Sequence, residues 1–431
     1  MTNISSFLIS ATASGSGKTT ITLGLLRALK NRGFACQPFK CGPDYIDTKY
    51  HDMASGNKSV NLDLFLSSES HIRYLYSKYA SQSDVCITEG VMGLFDGYDR
   101  MSGSSAEIAE KLNIPVILVI NAKSMAYSAA PLLYGFKNFS QKNNIVGAIF
   151  NFVGSESHYN FLKEACYDVG ITPLGFLPKN ADIEIPSRHL GLSLDEEYRF
   201  DEFADKVASL LEKYIDIDRL LSMTDCTIQY SQGTDIQPNQ RMNIAVASDE
   251  AFCFMYHENV EYLKRSGEVS FFSPLKDKQL PKADFIYLPG GYPELYLKQL
   301  SENKSLHNDI RSYVNNGGKI WAECGGMMYL SSSIADKDGV EYPMVGIFNQ
   351  KSSMENMKLK LGYRCFDYND LDIKGHEFHY SHIESNLNSI VQQYNAKGVP
   401  VDTKLIRYKN AIGSYTHIYW AEMDNLLDLF N

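Results

Sequence analysis

The sequence predicts an α/β protein of two domains, the first a doubly wound parallel sheet. Three observations carry this prediction. Runs such as Ile114-Pro115-Val116-Ile117-Leu118-Val119-Ile120-Asn121 and Ile145-Val146-Gly147-Ala148-Ile149-Phe150-Asn151 are apolar without alternation, as strands covered on both faces are. Segments of helical period separate such runs, which places successive strands parallel through crossover helices. A polar stretch with Gly, Pro, Asn and Gln, residues 224–240, interrupts this order before it resumes at Met242. The expected division is a domain at 1–223, a linker at 224–240 and a second domain at 241–431.

At 431 residues the chain has material for two or three full-sized cores. Its 44% hydrophobic and 21% charged residues are those of an ordinary soluble globular protein. A formal net charge of −10 leaves no basic face to neutralise phosphates, which argues against a nucleic-acid partner. No apolar run reaches the length of a membrane span, and the N-terminus shows no signal-peptide pattern. The 8 cysteines include no Cys-x-x-Cys pair, so neither structural zinc nor a disulfide framework is expected. A reducing cytoplasm is the expected compartment.

The first strand, Phe7-Leu8-Ile9, runs into Ser10-Ala11-Thr12-Ala13-Ser14-Gly15-Ser16-Gly17-Lys18-Thr19-Thr20. Behind it, Leu25, Leu26 and Leu29 mark one face of a helix. Strand, small-residue loop and helix form the layout of a phosphate-binding loop, in which backbone N–H groups and the positive helix end converge on an anion. Ser16, Gly17, Lys18, Thr19 and Thr20 are its candidate residues. Lys18 is placed to reach the β/γ-phosphates and the Thr19 hydroxyl to ligate Mg²⁺, with ATP as the expected nucleotide. The usual pattern has Gly five places before Gly17, where this chain has Thr12.

A second strand near residues 35–40 leads into Phe39-Lys40-Cys41-Gly42-Pro43-Asp44-Tyr45-Ile46-Asp47. Asp44 and Asp47 follow a chain break outside a strand end, where an open α/β sheet holds its ligand crevice. Solvated turn acids are the alternative, but Mg²⁺ on a nucleotide takes one or two protein carboxylates. The next strand, Asp84-Val85-Cys86-Ile87-Thr88-Glu89, ends in an acid at the place of a Walker-B-type metal ligand. Asp96 follows in a Gly-rich loop that faces either substrate or water. Residues 104–112 read as a helix opening on Ser caps. Asn151 closes a strand and is either a hydrogen-bonding partner for an adenine edge or a cap. An amphipathic helix is expected over 200–214.

In the second half, an apolar strand ends in Pro289-Gly290-Gly291-Tyr292-Pro293-Glu294. Another, Lys319-Ile320-Trp321-Ala322, leads into Glu323-Cys324-Gly325-Gly326. A cysteine between strand and helix, followed by glycines, reads as a nucleophile elbow, and the helix dipole is expected to lower its thiol pKa. Backbone N–H groups at Gly290, Gly291 and Gly325 are candidates for an oxyanion hole and for glutamine contact. His417, far downstream, is the candidate base for the thiol, with a core histidine as the alternative. His376 and His379 are three apart, but no apolar helix carries them and no further ligand has suitable spacing, so they are not taken as a metal site.

These residues resemble the cobyrinic acid a,c-diamide synthase family over essentially the whole chain. The matching stretches are Gly17-Lys18-Thr19-Thr20, Gln37 to Asp47, Glu89-Gly90-Val91-Met92-Gly93-Leu94-Phe95-Asp96-Gly97, Arg188-His189-Leu190-Gly191-Leu192 and Gly375-His376-Glu377-Phe378-His379-Tyr380-Ser381. Thr12 is then a family trait. The resemblance implies an N-terminal dethiobiotin-synthetase-like P-loop domain and a C-terminal class I glutamine amidotransferase-like domain with Cys324 as nucleophile. It implies ATP, Mg²⁺, glutamine and a corrinoid polycarboxylate, and amidation through acyl phosphates in cobalamin biosynthesis. By the same resemblance Asp47 and Glu89 fall in the metal-phosphate site, and Asp44, Tyr45 and Asp96 face the substrate.

Two places depart from the class I amidotransferase pattern. Ala322 stands where Gly usually lies two before the nucleophile, and Tyr419 where Glu usually lies two after the histidine. What orients His417 is thus left open. Hydrogenobyrinic acid and nickel sirohydrochlorin are rival substrates, and a P-loop switch with a non-catalytic C-terminal module is a rival of another class. A homo-oligomer is compatible with the sequence, which does not fix the number of copies.

Overall fold

The computed structural model describes residues 2–179, 200–228, 231 and 241–431, which divide into two units at residues 234/235. The first unit contains β1 (Thr2–Ala11), β2 (Cys36–Cys41), β3 (Val60–Leu62), β4 (Val85–Glu89), β5 (Val116–Asn121), β6 (Ile145–Val153), β7 (Thr172–Pro178) and β8 (Asp225–Ile228). The first seven run parallel in the order β3-β2-β4-β1-β5-β6-β7. Alternate residues of these apolar strands enter opposite cores, as a period of two requires. Leu8, Phe39, Cys86, Leu118 and Phe150 enter one, and Phe7, Ile9, Ile87, Val119 and Ile149 the other. Helix α1 (Lys18–Asn31) and the helix Phe200–Tyr214 cover the second face. Chain order reverses about β1, so the crevice opens at the carboxyl ends of β2, β4 and β1.

Residues 225–228, read as linker, instead form β8, antiparallel to the start of β1. Its residues alternate between exposed and half-buried. A short polar strand with one wet face has the composition of a linker, and only its pairing reveals it. The stretch Arg188-His189-Leu190-Gly191-Leu192 lies outside the described residues.

The second unit contains β9 (Met242–Ala247), β10 (Gly267–Phe272), β11 (Phe285–Leu288) and β12 (Lys319–Glu323). With the strands Ala411–Ser414 and Leu405–Tyr408 they form a sheet ordered β10-β9-β11-β12, then Ala411–Ser414, then Leu405–Tyr408. All are parallel except the last. The expected alternation of strand and helix gives way from residue 331 to one mixed and one antiparallel sheet. One is built on the hairpin Lys360–Tyr368 and Leu371–His379. Asn369 and Asp370, both at positive φ, close it as a two-residue turn. The strand His417–Ile418 pairs with its second arm. Among the described residues no helix is long and apolar enough to cross a membrane.

Candidate active sites

In the first unit, strand register places Ile9, Glu89 and Lys40 in one row across β1, β4 and β2. Glu89 is fully buried. Its Oε1 accepts from the Thr19 hydroxyl at 2.7 Å and from Lys40 Nζ at 2.9 Å. Its Oε2 accepts from His51 Nε2 at 2.7 Å, and His51 Nδ1 lies 3.1 Å from the Ser59 hydroxyl. Lys40 Nζ also bonds Asp47 Oδ2, so one buried ammonium joins two carboxylates. Burial alone would raise the Glu89 carboxyl, but Lys40 and His51 outweigh it and hold Glu89 far below the usual range. For Asp47 burial and the Asp44 charge prevail over Lys40 and push the carboxyl up to about 7.

The phosphate loop is shaped by Gly17, whose φ of 95° opens α1 from the left-handed region. A Cβ there would lie 2.0 Å from Asn151 Nδ2. That amide donates to the Ser16 carbonyl at 3.0 Å, and its Oδ1 accepts from Phe152 N at 2.9 Å. Asn151 therefore buttresses the loop backbone. Ser16 bonds back to the Ala13 carbonyl. Lys18 Nζ reaches the carbonyl of Met92 across the crevice, and burial lowers its pKa.

Asp44 Oδ1 accepts from the N–H groups of Ile46 and Asp47 and so caps α2 (Ile46–Ser55). Tyr45 is buried beside it. Asp96 is exposed, with Oδ2 accepting from Gly93 N. Sequence reasoning gave no role to Lys40 or His51. The available signals were a lysine inside an otherwise apolar strand and a histidine four residues after Asp47, on the same face of α2.

The donors present suit a hard divalent cation, since Thr19, Asp47 and Glu89 offer oxygen only. Among the described residues no group of three His, Cys, Asp or Glu is arranged to hold a metal. Such an ion would need nucleotide phosphates to complete its shell.

In the second unit, Cys324 turns β12 into the short helix Gly325–Leu330 with φ 44° and ψ −106°, a conformation strained for a residue with a Cβ. Its N–H donates to the Ser414 carbonyl at 2.8 Å, tying the elbow to the neighbouring strand. His417, 1% exposed, stacks on His376 with ring centroids 5.2 Å apart. A Cβ on Gly290 would meet His417 Cε1 at 2.3 Å, and a Cβ on Gly325 would meet Gly291 N at 3.1 Å. The Gly290-Gly291 backbone thus passes between the imidazole and the residue after the nucleophile.

The expected lowering of the Cys324 thiol is not observed. Burial pushes it well up, the Glu294 charge adds to this, and only the Gly325 N–H among the leading influences opposes. A helix of one and a half turns offers too little dipole to compensate. Burial also holds His417 well below the usual imidazole range, with His376 and His379 adding, so its ring is neutral.

His376 and His379 have separate partners, because residues three apart on a strand face opposite ways. His376 lies under His417 with Nδ1 2.9 Å from Tyr256 Oη. His379 stacks on Tyr415 at 3.5 Å and donates to Glu377, which also accepts from Arg364 Nε and Thr403.

A phosphate loop with clustered oxygen donors in one unit and a cysteine elbow with a buried imidazole in the other define a nucleotide-binding glutamine amidotransferase. Residues 7–192 match the CobQ/CobB/MinD/ParA nucleotide binding domain, and residues 243–425 the CobB/CobQ-like glutamine amidotransferase domain. The chain is 40% identical to the cobyrinate a,c-diamide synthase of Caldanaerobacter subterraneus subsp. tengcongensis, over 96% of this chain and 94% of that protein. It is 38% identical to that of Listeria innocua, over 97% of each. It is also 40% identical to the hydrogenobyrinate a,c-diamide synthase of Brucella abortus, over 96% and 98%. The chain belongs to the a,c-diamide synthase family, a family of glutamine-dependent amidating ligases.

Proposed function

We propose that this enzyme amidates the a- and c-acetate carboxylates of cobyrinic acid, using glutamine as nitrogen donor and ATP as activator, in cobalamin biosynthesis in the cytoplasm. The observation that carries the reading is near full-length identity to such synthases together with both sites in one chain. The first unit, which includes β8, acts as the amidoligase and residues 241–431 as the glutaminase.

Cys324 gives its proton to His417 and attacks the glutamine amide carbon. The oxyanion is met by N–H groups at Gly290, Gly291 and Gly325. His417 returns the proton to the departing ammonia, and water cleaves the thioester to glutamate. In the first unit, Ser16 to Thr20 cradle the triphosphate and Lys18 leaves the Met92 carbonyl for the γ-phosphate. Thr19, Asp47 and Glu89 would hold Mg²⁺ together with the nucleotide, and the ion would supply charge neutralisation for phosphoryl transfer.

Asp44, Tyr45 and Asp96 border the substrate carboxylate. A bare carboxylate is a poor acyl donor because its leaving group is oxide. Its acyl phosphate loses phosphate instead, and ammonia replaces it to form the amide.

Hydrogenobyrinic acid is the second reading, favoured by the equal identity to the Brucella protein. The test supplies purified protein with ATP, Mg²⁺ and glutamine against cobyrinic acid, hydrogenobyrinic acid and nickel sirohydrochlorin, with products counted by mass. Two amidations of cobyrinic acid are expected. Turnover of another substrate alone overturns the assignment.

A further inference from the structure

Tyr419 stands where class I amidotransferases usually place the acid that orients the histidine. Its ring packs edge-on against Tyr256, with centroids 5.5 Å apart. The buried acid beside His417 comes from elsewhere. Glu323, the last residue of β12 and the direct neighbour of Cys324, is 1% exposed, and its Oε2 lies 3.8 Å from His417 Nδ1.

Three donors hold that carboxylate in place. Tyr287 on β11 donates to Oε2 at 2.7 Å, while Trp321 Nε1 and the Ile418 N–H donate to Oε1 at 3.0 and 3.1 Å. The last of these is the backbone of the residue after His417, so Glu323 fixes the histidine's strand as well as facing its ring. Donors on both oxygens favour the ionised form of the group against the burial that disfavours it. The distance to Nδ1 is that of an ion pair and longer than a direct hydrogen bond. Catalytic contacts of this kind tighten only in the reacting complex. The other charged or titratable groups acting on the ring are His376, Glu377 and His379 from the strand Leu371–His379.

We propose that Glu323 is the positioning residue for His417. Its carboxylate keeps the proton on Nδ1, leaves Nε2 as the free base, and balances the imidazolium that forms when Cys324 loses its proton. The role usually given to an acid two places after the histidine is thus filled from the strand that presents the nucleophile. Burial raises the Glu323 carboxyl to about 8, the three donors opposing. An imidazolium opposite would favour its ionisation. The proposal rests on the glutaminase reading of Cys324 and His417.

The test is the pH dependence of Cys324 alkylation by iodoacetamide, followed by peptide mass spectrometry on the full-length protein. Glu323→Gln, Tyr287→Phe and His417→Gln are compared with wild type, and each is melted to check folding. Glu323→Gln is expected to raise the midpoint by a unit or more and to slow alkylation at pH 7 about tenfold. Tyr287→Phe, which removes one donor, should move it the same way by less. A folded Glu323→Gln with the wild-type midpoint, while His417→Gln shifts it, overturns the proposal alone. A wild-type profile in His417→Gln overturns the base assignment and the proposal with it. Should Glu323→Gln fail to fold, Tyr287→Phe decides: an upward shift supports the proposal, and an unmoved midpoint overturns it.

Discussion

His417 rests on the α-carbon of Gly290 so closely that a methyl group there would lie 2.3 Å from Cε1. Gly290 is required for this fit, whatever its N–H contributes to an oxyanion. Gly290→Ala should displace the imidazole and lower glutamine-dependent amidation about 100-fold, the scale of an ångström-sized misplacement. Amidation with added ammonia should persist. Equal loss with both nitrogen sources would mean that the substitution disturbs the fold instead.

Cys324→Ser should abolish glutamine-dependent amidation and spare the ammonia-dependent reaction. Steady-state assays with each nitrogen source check this. Loss of both would assign Cys324 a structural role.

Lys40 joins Asp47 and Glu89, and Lys40→Met leaves the buried Glu89 and the half-buried Asp47 without their cation. Breaking such a pair costs about 3–5 kcal/mol, and ATP-dependent amidation should be lost with it. Millimolar Mg²⁺ should raise the melting temperature of this variant more than that of wild type, because the metal no longer competes with the ammonium. An equal response would separate these carboxylates from the metal site.

As the proposed metal ligand, Asp47, with its carboxyl raised to about 7, would have to ionise to bind the ion. Protons therefore compete with Mg²⁺. Apparent Mg²⁺ affinity in the presence of ATP should fall as pH drops through 7, about tenfold per unit below it. Asp47→Asn provides the reference that removes the nucleotide's own titration. Parallel curves for the two proteins would exclude Asp47 as a ligand.

His307, fully buried and edge-on to Tyr329, is lowered by burial to about 4. A depressed folded value gives stability that is present above the unfolded pKa near 6.5 and is lost as pH falls toward 4. The loss is about 3 kcal/mol. Denaturant titrations from pH 7 to 4 should show a shallower acid limb for His307→Leu than for wild type. Identical limbs would reject the assignment.

Much of the first site was legible because it follows local rules. Gly17-Lys18-Thr19 lies between strand and helix, and Glu89 ends an apolar strand. Lys40 was not legible, since its meeting with Glu89 depends on the register of β2 against β4. His51 was hidden because its partner lies 38 positions away. In the second unit the Cys324 elbow announced itself, but a thiol's surroundings are a tertiary property, and burial reversed the shift expected from a helix start. Glu323 escaped notice for a different reason: it stands next to the nucleophile, whereas the familiar pattern directs attention beyond the histidine. The antiparallel hairpin rests on Asn369 and Asp370, a turn signal easily missed inside a polar stretch.

Helix α2 carries Asp44 at its cap, Asp47 in its first turn and His51 one turn further, so three parts of the ATP-dependent site are fixed to one rigid rod. On the proposed reading, a shift of that rod moves a substrate-bordering residue, a metal ligand and the histidine partner of Glu89 together. Attempts to retarget the enzyme to another tetrapyrrole by altering α2 would therefore disturb activation and recognition at once. Asp96, exposed on a separate loop where it meets Gly93 through two hydrogen bonds, offers a place where the two can be varied separately.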